Sequence, residues 1–355
     1  FHTARWEHGH DLAGRRIAFV GTGSTGAQVV PKLAEIAGHL YVYQRQPGWL
    51  LPKREREFTE RERRRYARSG TVRAMARLGR FRDAGRLISA LTIGTDDHER
   101  LKREALEYLR GTIQDPELRR ALTPDYPFAC KRIVLSRTYL PALSLPNVTL
   151  VPHAVERITR DGVVSADGVE RAADVLVMGT GFTASSFLAD LRVKGAGGRD
   201  LHETWGDEPR ALAGTTVPGF PNFFILYGPN TNGGGSIIYQ LERGAEVAVR
   251  AAKRLRRTGA RAIDTSPAAL CLYVRWIDRA VSRRLDAMSS GLCNNYFRAP
   301  SGRDVVSWPY SHLAFHATTR IVPRLAMRTT GAARRPLREP AAGGVSRRPD
   351  SVSTR

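Results

Sequence analysis

Arg15-Arg16-Ile17-Ala18-Phe19-Val20-Gly21-Thr22-Gly23-Ser24-Thr25-Gly26 is the stretch from which the rest of this chain is read. Arg15–Val20 reads as a short strand that runs into a GxGxxG turn, and Ala27–Ala37 continues as a helix. Three glycines at this spacing suit a tight turn, close approach of backbone to a pyrophosphate, and close packing of helix on strand. The next apolar run, Leu40-Tyr41-Val42-Tyr43, ends in Gln44-Arg45. An acid at that point would hold a ribose 2′-hydroxyl, whereas an arginine favours a 2′-phosphate. The ligand inferred is NADP(H), with Gly21, Thr22, Gly23, Ser24, Thr25, Gly26 and Arg45 among its binding residues. For Arg45 taken alone, a solvated arginine at a strand end remains the plainer reading.

The chain of 355 residues is long enough for two domains with sizeable cores. Its hydrophobic content of 42% is ordinary for a soluble protein, and no apolar run reaches the ~20 residues of a membrane helix. No signal peptide is visible, and the chain begins with Phe1 rather than Met. Cys130, Cys271 and Cys293 are widely spaced and odd in number, against a disulfide framework or a zinc cluster. A reducing cytoplasm is the expected setting.

The net charge of +22 invites a nucleic-acid reading. The charge is concentrated, however: Lys53–Arg82 carries twelve Lys/Arg against four Asp/Glu, and the tail after Arg328 is rich in Arg, Pro, Gly and Ser. No RNP signature, zinc finger or basic zipper accompanies it, so specific nucleic-acid binding is not expected. A solvated helical face explains the run.

The organisation expected is α/β, with a doubly wound Rossmann-like unit over residues 1–181. Residues 15–50 give its β-α-β beginning, and Lys53–Leu122 reads as an all-helical insertion turning near Gly94–Asp97. Asp125–Arg132 is aromatic and loop-like. Asn147–Val151 and Ala173–Met178 read as strands flanking a hairpin around Asp161-Gly162, and Gly179-Thr180-Gly181-Phe182 follows the second. Phe220–Leu226 reads as a strand running into the loop Asn230–Gly235, then a long helix from Ile237 to about Arg257. Composition from Thr329 to Arg355 predicts a disordered tail. His312 and His316 stand at i and i+4 with no third ligand nearby, so no metal centre is expected.

Taken in order, these landmarks resemble the Baeyer–Villiger-type monooxygenases of the flavin-containing monooxygenase superfamily. His2 and Trp6 in Phe1-His2-Thr3-Ala4-Arg5-Trp6 look like the second half of that family's fingerprint. Gly21–Val29, with Gln28, and Gln44-Arg45 match its nicotinamide site. Tyr126-Pro127-Phe128 before Lys131-Arg132 resembles the segment carrying its active-site arginine, and Gly179–Phe182 resembles its linker with glycine for alanine. Phe220–Phe224 and Gly228-Pro229 complete a series covering about residues 1–320. Departures are Glu7 after the tryptophan and Asn294-Asn295-Tyr296-Phe297, where relatives tend to carry a tryptophan.

The resemblance implies an FAD- and NADPH-dependent monooxygenase. It would insert one oxygen atom of O₂ into a ketone, or a soft N/S heteroatom, through a C4a-peroxyflavin. It marks Arg132 as the catalytic cation, since arginine keeps its proton. It gives His2 a part in coupling the cofactor domains, while a histidine satisfied by neighbouring backbone stays open. Gln28, Lys131, Thr180, Gly181, Phe182, Gly228 and Asn230 are implied as cofactor-binding. Residues 182–328 would form the C-terminal part of a split FAD domain, whose earlier GxGxxG is not found here. The chain therefore reads as an N-terminally truncated fragment, and the alternative is an NADP(H)-binding fragment without catalysis. Oligomeric state is not legible.

Overall fold

The computed structural model describes residues 1–90, 92–233, 236–284 and 297–331. In chain order the elements are β1 (Arg16–Val20), α1 (Gly26–Ala34), β2 (His39–Tyr43) and β3 (Leu50–Leu51). Four helices follow: α2 (Glu60–Arg68), α3 (Gly70–Ala90), α4 (Asp96–Thr112) and α5 (Pro116–Leu122). Then come β4 (Val134–Leu135), α6 (Tyr139–Leu143), β5 (Val148–Val151), β6 (Val155–Ile158), β7 (Gly162–Ser165), β8 (Glu170–Ala172) and β9 (Val175–Met178). The C-terminal region holds α7 (Leu201–Trp205), α8 (Ile237–Thr258), β10 (Ala262–Thr265), α9 (Pro267–Arg284), α10 (His312–Ala326) and β11 (Met327–Thr330).

The main sheet is parallel, in the order β5-β2-β1-β9. Side chains of β1 alternate between its two faces, as a strand requires. Ile17 and Phe19 join Val30, Leu33 and Leu40 in the core beneath α1, while Ala18 meets Tyr43, Val151 and Val163 on the other side. On α1 the buried residues Ala27, Val30, Leu33 and Ala34 recur at helical spacing, giving it one apolar face. The opposite face of the sheet is covered by the antiparallel sheet β6-β7-β8 rather than by helices. The Rossmann-like α/β reading holds, but the unit is not doubly wound in the strict sense. Short polar-alternating strands after Val151 can shield a sheet as well as a helix does.

The basic run folds as α2 and α3. A full capping box starts α2: Thr59 Oγ1 accepts from the Glu62 amide at 3.3 Å, and the Glu62 carboxylate accepts from the Thr59 amide at 3.0 Å. No residue of α2 is buried. Farther on, α3 docks against the C-terminal region, with Phe81 5.8 Å from the Tyr239 ring and 5.3 Å from the His312 ring. Arg77 pairs with Glu242 across the same junction. The insertion therefore ties the Rossmann unit to α8 and α10.

Three expectations are corrected. Phe220–Leu226 forms no strand. Pro218 and Pro221 lack amide donors, and Gly219 and Asn222 take φ of +85° and +62°. Phe220 and Ile225 are buried all the same, in the cluster around Trp205, whereas Leu226 is exposed. Thr329 and Thr330 belong to β11, paired with Ile263 and Ala262, so the tail does not begin at Thr329. Cys130 enters a disulfide, whereas Cys271 is free and exposed. Asn294, Asn295, Tyr296 and the tail from residue 332 lie outside the described residues. No described helix is long and apolar enough to cross a membrane.

Candidate active site

The Gly21–Gly26 turn has the geometry its glycines suggest. Gly21 sits at φ +120°, and a Cβ there would overlap the Gly179 carbonyl. A Cβ on Gly26 would stand 2.5 Å from the Gly21 oxygen and 3.3 Å from Phe19 Cε1. These two positions need glycine for packing within the protein. Gly23 differs: a Cβ there meets nothing within 4 Å. The amides of Gly23, Ser24 and Thr25 have no acceptor among the described residues, and they precede the positive end of α1. Open space beside free amides at a helix start suits a phosphate.

At the end of β2 stand two cations. Arg45 is exposed and has no hydrogen bond or ion pair among the described residues. The Lys131 ammonium lies 4.7 Å from the Tyr126 ring centroid and donates to Gln46 Oε1. Burial, and then the nearby Arg45 charge, pull Lys131 below the usual lysine range; Asp125 opposes them. Tyr126 is itself fixed, its hydroxyl donating to the Pro47 carbonyl at 2.8 Å and its own carbonyl accepting from Trp49 Nε1 at 3.1 Å. Two cations held this close favour a dianionic group between them.

A cavity of about 720 Å³ opens between this unit and the C-terminal region. Ser24, Ala27 and Gln28 form one wall, and Asn232, Gly233 and Trp308 face them. The segment from Ala129 to Thr138 lines the side between. Arg132 is in that segment, exposed, with no hydrogen bond or ion pair among the described residues. Gln28 Nε2 donates to the Ser24 carbonyl at 2.8 Å, which braces the first turn of α1. Asp304 is buried: its Oδ1 accepts from the Val306 and Ser307 amides at 2.9 and 2.8 Å, while Oδ2 has no partner among the described residues. Burial raises its pKa above the ordinary aspartate value.

Other residues singled out from sequence lie elsewhere. His2 forms a bridge with Met178 at the end of β9, and its Nδ1 accepts from the Ala4 amide at 3.1 Å. Its ring faces Phe182 with centroids 6.0 Å apart, and His2 is not part of the cavity wall. Thr180, Gly181 and Phe182 are exposed just beyond β9, also off the wall. A Cβ on Gly228 would overlap the Gly214 carbonyl. Asn230 is buried, its Nδ2 donating to the Asp304 and Ser307 carbonyls at 3.0 and 3.1 Å and its Oδ1 accepting from Arg303 at 3.3 Å. Its side chain is taken up in holding residues 303–307. Sequence reading had Asn232 only as part of the loop Asn230–Gly235 and passed over Asp304, Ser307, Trp308 and Arg137. The only local signal was the Trp308-Pro309 pair after a Gly302 turn.

No family model matches the chain. A Baeyer–Villiger monooxygenase of Pseudomonas aeruginosa is 36% identical over 322 residues, which is 90% of this chain and 61% of that protein. Another of Streptomyces coelicolor is 36% identical over 91% of this chain and 62% of its own length. The chain thus spans about six-tenths of the length of these curated relatives. Among solved structures, an oxidized steroid monooxygenase bound to NADP superposes with a TM-score of 0.76 at 25% identity, over 92% of this chain and 69% of that one. A closed cyclohexanone monooxygenase gives 0.77 at 23% identity over 94% and 70%, a likeness of fold.

Proposed function

The chain belongs to the Baeyer–Villiger-type flavin monooxygenase family, and we propose that it serves an FAD- and NADPH-dependent oxygenation of a ketone. The observation that carries this reading is Arg132. A guanidinium without a partner among the described residues lines the cavity that opens on the glycine turn.

Residues 1–181 would hold NADPH, with its pyrophosphate against Gly23–Thr25 and its 2′-phosphate between Arg45 and Lys131. The open space at Gly23 and the paired cations fit that cofactor. Residues 182–328 would supply the C-terminal part of an FAD domain, with Thr180, Gly181 and Phe182 as exposed linker contacts. Gly228 and Asn230 would act there as scaffold, since both are engaged within the protein. FAD, when bound, supplies the electron transfer and oxygen activation. The protein's part is position and field. Arg132 keeps its proton throughout and stabilises negative charge that develops on oxygen in the cavity. His2, bridging Met178 and facing Phe182, would couple movements of the linker to the Rossmann unit.

The test is Arg132→Ala in the FAD-loaded protein, assayed with a panel of cyclic and linear ketones and organic sulfides. NADPH oxidation is expected to continue while ester, lactone or sulfoxide falls by at least about a hundredfold. Undiminished oxygenated product would remove Arg132 from the role, and no product from the wild-type protein with any substrate would sink the activity.

A further inference from the structure

Arg137 is a second unpartnered cation in the same wall. It is exposed, lines the cavity, and has no hydrogen bond or ion pair among the described residues. The residues on either side of it, by contrast, are pinned. The Ser136 amide donates to the Leu51 carbonyl at 3.1 Å, and Tyr108 OH donates to the Ser136 carbonyl at 3.0 Å. Ser136 Oγ accepts from the Thr138 and Tyr139 amides at 3.3 and 3.1 Å, and reaches the Ala27 carbonyl at 3.5 Å. The last contact places the Arg137 turn beside the first turn of α1.

The acids of the cavity wall do not balance this charge. Glu55 is paired with Lys53 at 2.6 Å, and Asp304 is buried with one oxygen held by two amides. Arg132 and Arg137 therefore add their positive potential in one concave space, which Ser24 of the glycine turn also lines. A guanidinium presented from a rigid turn, with its fork unused, matches a planar or tetrahedral anion bidentately.

We propose that Arg137 grips an anionic oxygen group in this cavity, either a carboxylate on the ketone substrate or a phosphate of the dinucleotide. The carboxylate source rests on the ketone-oxygenating function proposed above; the phosphate source does not. Arg137 is a binding and specificity residue, separate from Arg132.

The experiment is calorimetric titration of the wild-type chain and of Arg137→Gln with NADP⁺, and separately with 4-oxopentanoate and its methyl ester. All are read without turnover, so a protein unable to oxygenate ketones still reports on Arg137. If phosphate is the ligand, Kd for NADP⁺ rises about tenfold in the variant. If carboxylate is the ligand, the wild type prefers the acid over the ester about tenfold and the variant loses that preference. Arg137→Lys keeps the charge without the fork and is expected to recover part of either effect, which a misfolded variant would not show. Unchanged NADP⁺ affinity together with an unchanged acid-to-ester ratio would overturn the proposal.

Discussion

A Cβ on Gly179 would stand 2.7 Å from Phe19 Cζ and 3.1 Å from Phe19 Cε1, so the ring on β1 fills the space that a side chain after β9 would need. The Gly179 amide donates to the Val20 carbonyl at 2.8 Å, which fixes that approach. Gly179 stands where the resemblance expects alanine, and Phe19 is the physical reason. Gly179→Ala is expected to cost about 1–3 kcal/mol in urea unfolding through overpacking. Phe19→Leu should relieve the clash, so the double variant loses less than the sum of the singles. Strict additivity would show that the ring does not set this residue.

The fingerprint glycines are predicted to separate into two kinds. Gly23→Ala should leave the unfolding free energy within about 1 kcal/mol, since a Cβ there meets open space. It should weaken NADP⁺ binding. Gly21→Ala should destabilise the fold by about 2 kcal/mol or more, because φ is +120° and a Cβ would stand 2.8 Å from the Gly179 carbonyl carbon. Paired unfolding and NADP⁺ titration distinguishes the two. Equal stability losses would contradict the geometry.

Arg45 and Lys131 give a pH-dependent prediction. Arg45→Ala should weaken NADP⁺ about tenfold at neutral pH and leave NAD⁺ unchanged. A 2′-phosphate favours the protonated form of Lys131, so NADP⁺ affinity falls as pH rises through its transition. Burial and Arg45 lower that transition, so the fall begins below the ordinary lysine value of 10.5. NADP⁺ and NAD⁺ titrations across alkaline pH check it; parallel losses for the two nucleotides would refute the assignment.

Arg16 and Asp174 clamp the start of β1 to the approach to β9. Arg16 Nη2 donates to Asp174 Oδ1 at 2.6 Å, and the Arg16 amide donates to Asp174 Oδ2 at 2.8 Å. The guanidinium, then the amide, hold the Asp174 carboxyl at about 2, below its ordinary 3.8. A depressed carboxyl pKa stabilises the fold above the unfolded value and loses that contribution as pH falls toward the folded one. Between about pH 4 and 2 the wild type should therefore lose stability that Asp174→Asn does not have to lose. Equilibrium unfolding at several acid pH values measures the difference in slope; identical slopes would exclude the pair as a contributor.

The β-α-β start, the helical insertion and the long α8 were legible because hydrophobic periodicity and cap residues act over a few neighbours. Thr59 and Glu62 are such a signal, three residues apart and bonded to each other. Phe220–Leu226 misled for the same reason. Phe220 and Ile225 are buried as expected, but Pro221 and Asn222 within the segment, and Pro218 and Gly219 just before it, deny it a strand's backbone. Burial was readable there, and hydrogen-bond pairing was not.

The sequence by itself determined the GxGxxG turn, the arginine after β2 and the ordered series of family landmarks, since glycine conformation and strand-to-helix patterning are local properties. Only the tertiary structure decided which polar groups remain free. Asn230, conspicuous in sequence, is consumed by carbonyls more than seventy positions away, whereas Arg132 and Arg137 keep guanidiniums in one wall that no described residue engages. Satisfaction of a polar group depends on what the fold brings to it from a distance, and no spacing along the chain records that.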